Sequence, residues 1–123
     1  REQPGLVEGV TWVSEYRPST GTRTNPTGAN MYYNYYATQV MKHYGGEMWT
    51  RWNGEMRDFL VQTQDTEGAE RGSWIFTRSD DLGPEAGGRL YCTCMAAMTL
   101  EVYYRFLPLY EDGVMDDPFP LDD

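Results

Sequence analysis

Apolar positions recur at helical spacing through most of the chain. In 4–17, "PGLVEGVTWVSEYR", Leu6, Val10 and Val13 are three to four residues apart, and Pro4 suits a first helical turn. The segment "RPSTGTRTNPTG" (17–28), with its Pro, Gly and hydroxyl residues, reads as a loop. In 30–44, "NMYYNYYATQVMKHY", Asn34, Thr38 and Lys42 form one narrow polar stripe, and Met, Tyr and Val cover most of the remaining circumference. That pattern predicts a helix buried on most sides, ended by Gly45-Gly46. In 47–64 the apolar residues Trp49, Trp52, Met56, Phe59 and Leu60, with Thr63, make a single stripe opposite charges, so this helix should have one dry face and one wet face. Residues 65–88 form a long Gly- and Asp-rich loop whose large apolar patch is Trp74-Ile75-Phe76. From about Arg89 to Leu107 the chain again predicts a helix apolar all round, ended by Pro108.

One-faced and all-round helices thus alternate. The expectation is an all-α fold of about two helical hairpins, with outer helices wet and inner helices dry. Residues 1–110 form the helical domain in this reading, and 111–123 an acidic flexible tail. The tail, "EDGVMDDPFPLDD", holds six acids and no base, so most of the net charge of −9 lies there. There is no basic patch, which disfavours nucleic-acid binding. Glu101, Arg105 and Pro108 interrupt the apolar run 90–109, so a buried helix is expected there and no transmembrane segment. Ten Tyr and four Trp against four Phe suit interfaces and pocket walls as well as cores.

Three stretches carry a resemblance: "MYYNYYATQVMKHYGGEMWTRWN" (31–53), "FLVQTQDTEGAERGSW" (59–74) and "GGRLYCTCMAAMTLEVYYRFLPLY" (87–110). The chain resembles bacterial proteins with prenyltransferase and squalene-cyclase-type repeats, which form an α/α toroid of concentric helices. The resemblance implies a partial toroid with alternating outer and inner helices. It also implies that Phe59, Leu60, Gln64, Gly72 and Trp74 form a glutamine–tryptophan repeat motif tying a helix end to the next repeat. The spacer between Gln64 and Gly72 is longer than such repeats usually have.

The catalytic features of the resembling enzymes are lacking in this chain. In protein prenyltransferases an Arg and a Lys hold a diphosphate, and an Asp and a Cys bind zinc. Aligned on Gly88-Arg89, the Asn and Lys positions hold Tyr91 and Cys92, and the zinc positions hold Met95 and Ala97. A catalytic zinc needs about three protein ligands, and none is expected here, nor any other cofactor. The cyclase acid Asp-x-Asp-Asp is not matched by "SDD" (79–81) or "MDD" (115–117), and no thioester motif occurs. Residues i and i+2 of a helix point roughly 200° apart, so Cys92 and Cys94 should be small buried thiols and not a metal grip. Glu55 and Asp58 read as solvated charges, Glu101 with Arg105 as a buried ion pair, and His43 as a helix-end residue.

Arg89 either pins the long loop to an acid such as Asp80, Asp81 or Glu85, or keeps the diphosphate-holding role of its motif position. Among the tyrosines, Tyr32, Tyr33 and Tyr36 are core contacts or line an apolar ligand. An arc of a toroid leaves inner helices uncovered, so the expected partner is a second copy or the rest of a longer chain. The leading function is a non-catalytic repeat module for protein association or scaffolding. The alternatives are part of a terpenoid-cyclase- or prenyltransferase-like enzyme with catalytic residues outside this chain, and an isoprenoid-binding module.

Overall fold

The computed structural model describes residues 3–25, 27–77 and 82–105. Among them are four helices and no strand: α1 (Pro4–Tyr16), α2 (Met31–Tyr44), α3 (Gly46–Thr63) and α4 (Leu82–Arg105). Pro108, the acidic segment 111–123 and the carboxylates Asp80 and Asp81 lie outside the described residues. No helix among the described residues is long and apolar enough to cross a membrane.

Local chemistry sets the helix ends. Pro4 occupies the first turn of α1, where its missing N–H has no helical partner to lose. Asn30 caps α2, its side-chain oxygen accepting from Tyr33 N at 2.9 Å. Gly45 alone links α2 to α3, with φ 79° and ψ −159°, a backbone shape that a side chain would strain. Gly46 is already the first residue of α3, so the link is tighter than a two-glycine turn. The last helix begins at Leu82, not Arg89, and is broken at Gly88 (φ 53°, ψ −141°). The short first piece folds close under the Tyr91 ring, so close that a Cβ on Gly83 would collide with it.

α2 is the hub, packed against each of α1, α3 and α4. The core gathers Val10 of α1, Met31 and Met41 of α2, Trp52, Met56, Phe59 and Leu60 of α3, Trp74 and Phe76 of the loop, and Cys92, Met95 and Ala96 of α4. Fully burying a side chain such as Leu60 or Met41 stabilises the fold by ~1.5–3 kcal/mol. The apolar stripe of α3 is the dry face that its spacing predicts.

α2 corrects the sequence reading. Its polar residues Asn34 and Thr38 are buried, while Tyr32, Tyr36 and Val40 are exposed. The polar groups are buried because each has partners. Asn34 Oδ1 accepts Ser19 N at 2.8 Å, and its Nδ2 donates to Ser19 O at 2.7 Å. Thr38 Oγ1 donates to Asn34 O and accepts from Trp52 Nε1 at 2.9 Å. A buried polar side chain so paired avoids the desolvation cost that would otherwise exclude it. The phenols can lie along the surface with their hydroxyls in water.

α4 is corrected in the same sense. Leu90, Cys94 and Glu101 are exposed, and Cys92, Met95, Ala96, Thr99 and Val102 are buried, so the helix has one dry face.

Candidate functional site

Two regions bring sequence-predicted residues together. The first is a clasp between the end of α3, the loop after it and α4. Phe59 stacks on Phe76 with ring centroids 5.7 Å apart. The indole Nε1 of Trp74 donates to Leu60 O at 2.8 Å, supplying a carbonyl of the last turn of α3 with a donor. Gln64 Nε2 donates to Gly72 O at 2.9 Å, and backbone bonds from Asp65 N to Ser73 O and from Gly72 N to Asp65 O close the loop on itself.

Arg89 joins this clasp through partners that the spacing did not single out. Its guanidinium pairs with Asp65, reaches Ser73 Oγ at 3.0 Å and meets Glu70 Oε2 at 3.0 Å. The backbone of Trp74 and Phe76 then runs along α4: Trp74 N donates to Thr93 Oγ1 at 3.1 Å and Phe76 N to Cys92 Sγ at 3.3 Å. Cys92 is therefore a buried thiol with a backbone role. Cys94, expected to be buried, is exposed, because residues two apart face opposite sides of a helix. Glu101 is exposed too, so its carboxylate is not in a buried ion pair; the Arg105 side chain lies outside the described residues.

The second region is an open face built by α1 and α2. Tyr32 and Tyr36 are 58% and 51% exposed, with ring centroids 4.8 Å apart, and Tyr35 packs edge-on to Tyr36 at 5.2 Å. Beside them Leu6, Tyr36, Gln39, Val40, His43 and Tyr44 line a groove of about 360 Å³. That size falls in the range of small-molecule sites, and the described residues of the lining include no carboxylate. Tyr33 does not join it. It is half-buried, makes an edge contact with Tyr16, and its hydroxyl donates to Arg17 O at 3.2 Å. Burial, with a contribution from Tyr16, pushes its phenol up to about 12.

A separate polar hollow is lined by Arg17, Arg23, Glu55 and Asp58 with the hydroxyls of the 17–28 loop. Arg17, at φ 67°, grips Glu55 with contacts of 2.7 and 3.2 Å, and Arg51 adds a third at 3.4 Å. Glu55 is thus paired, not simply solvated. The Arg17 hydrogen bond holds its carboxyl below the usual range, the opposite of what a proton-donating acid needs. Among the described residues no three His, Cys, Asp or Glu side chains are grouped to hold a metal ion.

Spacing marks Leu6 as an apolar position of the first helix and position marks His43 as a helix-end residue, but nothing in the pattern assigns Leu6, Val40, His43 or Tyr44 to a groove. A signal was available: Tyr32, Tyr36 and Val40 recur every four residues on one face of α2. It identifies an exposed face only once Asn34 and Thr38 are known to point inward. Comparison with protein-family models, with curated proteins and with solved structures gives no match.

Proposed function

We propose that the chain is a non-catalytic helical module of the α/α-toroid repeat type, which works by associating with a further helical repeat through its α1–α2 face. The observation that carries this reading is the exposed row of Tyr32, Tyr36 and Val40 on the central helix, flanked by exposed Leu6 of α1. Apolar surface on a helix already packed on its other sides is surface that a neighbouring helix can cover. The clasp also supports a repeat unit, since Trp74 and Gln64 tie the end of α3 to the segment leading into α4. Light scattering at tens of micromolar tests it: the isolated chain should run as an oligomer, and a stable monomer would overturn the self-association.

One observation favours a second reading. The groove has the size and apolar lining of a site for an isoprenoid or similar small ligand. Titration with farnesol, monitored by tyrosine and tryptophan fluorescence, separates the two: saturable binding lost in Val40→Asp supports the ligand reading.

A further inference from the structure

The polar hollow between α3 and the loop after α1 has a volume of about 620 Å³, within the range of small-molecule sites. On α3 its wall is Glu55, Asp58 and Gln62, which share one face of the helix at spacings of three and four. The other wall carries Arg17, Thr20 and Arg23.

That second wall is preformed. Ser19 is held to buried Asn34 by bonds of 2.8 and 2.7 Å, and Ser19 Oγ accepts Asn30 N at 2.9 Å. Thr22 and Asn25 exchange backbone bonds of 2.9 and 3.1 Å. Among the described residues, Arg17 is the one residue other than glycine at positive φ, 67°. Such a backbone shape persists where its surroundings impose it, and it clusters at functional sites. Here it accompanies the grip on Glu55 that ties the two walls together. A ligand entering a fixed hollow does not bear the entropy of ordering the loop.

The lining keeps hydrogen-bonding capacity that the fold does not use. Among the described residues the side chains of Thr20, Arg23 and Gln62 make no bond. Asp58 meets its helix neighbour Arg57 at 3.3 and 3.4 Å, both through one oxygen. Donors and acceptors are therefore both on offer. The formal charges of Arg17, Arg23, Glu55 and Asp58 cancel, so a ligand of either sign gains one partner and meets a like charge. A neutral polyhydroxyl ligand has no such conflict, because each hydroxyl donates and accepts. Phe59 adds one apolar edge to the lining, suited to the C–H face of a sugar ring.

We infer that the hollow between α3 and the 17–23 loop is a binding site for a short neutral oligosaccharide, whose hydroxyls are read by Arg23, Asp58 and Gln62. The site is separate from the α1–α2 face and does not rest on the association reading.

Nuclear magnetic resonance of the isotope-labelled chain tests it, with maltotriose, cellotriose, glucose 6-phosphate and inorganic phosphate as probes. Saturable shifts at Arg23, Asp58 and Gln62 are expected with at least one trisaccharide. Its dissociation constant should rise at least ~10-fold in Gln62→Ala and in Asp58→Ala, the scale of one lost hydrogen bond. Both positions are exposed, so circular dichroism should show the fold retained. Val40→Asp, which alters the α1–α2 groove, should leave sugar binding within error of the parent. No saturable shift with either trisaccharide would overturn the inference. Trisaccharide binding untouched by both α3 substitutions would remove it from this hollow. Phosphate binding tighter than that of the trisaccharides would overturn the neutral class.

Discussion

The indole nitrogen of Trp74 donates to the carbonyl of Leu60 at 2.8 Å, joining the loop before α4 to the last turn of α3. Both residues are buried, and the same carbonyl also accepts Gln64 N at 3.2 Å. Trp74→Phe removes the donor and keeps most of the ring. Because Leu60 O keeps Gln64 N, with Thr63 Oγ1 also at 3.5 Å, the expected cost is near ~1 kcal/mol. Trp74→Ala also leaves a cavity, at ~3–5 kcal/mol. Urea unfolding of both variants checks the order; a Trp74→Phe chain as stable as the parent would mean that the indole nitrogen contributes nothing.

The hydrogen bond between Thr38 and Trp52 crosses from α2 to α3 at a buried position. Thr38→Val leaves the indole N–H without that acceptor and should cost ~1–3 kcal/mol. In a double-mutant cycle with Trp52→Phe, the coupling should be ~0.5–3 kcal/mol. Additive single and double variants would show that the pair is not coupled.

Glu55 gives the fold an acid-sensitive pair. Its carboxyl is held below the usual range, chiefly by the Arg17 hydrogen bond, so the folded state binds that proton more weakly than the unfolded chain does. The stabilisation is present above the ordinary carboxylate range and is lost as pH falls through the lowered value. The effect is small, because Arg17 is solvent-exposed and salt screens it. Glu55→Gln should flatten the acid side of the stability–pH curve and leave its shape above neutrality unchanged; an unaltered acid side would remove Glu55 from that role.

Arg89 holds the loop by Asp65, Glu70 and Ser73. Arg89→Ala should speed proteolysis after Arg71, within that loop, while helix content by circular dichroism is retained. Titration with farnesyl diphosphate should show no saturable binding, since the guanidinium is already engaged. Micromolar binding abolished by the same substitution would assign Arg89 to a phosphate instead.

Sequence pattern and structure agree where the pattern is simple. The α3 stripe is legible because every apolar residue on it faces the core and the opposite face is charged. The clasp is legible in Gln64 and Trp74, but the partners of Arg89 are not, because Asp65, Glu70 and Ser73 come together only when the loop closes. α2 misleads because polarity alone does not say which face is wet. Asn34 and Thr38 are inside because Ser19 and Trp52, distant in sequence, supply their bonds. The exposed tyrosines follow from that inversion, and with them the groove. At α4, helical periodicity does not reveal that Gly88 breaks the helix, since its neighbours on both sides are helical.

The most direct test of the association face is sedimentation equilibrium on three chains: the parent, Val40→Asp and Val61→Asp. Val40 lines the α1–α2 groove, and Val61 is exposed on α3. A charge at Val40 should lower the association constant at least ~10-fold, a difference of about 1.4 kcal/mol, while the same charge at Val61 leaves it within error of the parent. Equal weakening by both substitutions, or by neither, would contradict the assignment of the α1–α2 face as the surface through which this chain associates.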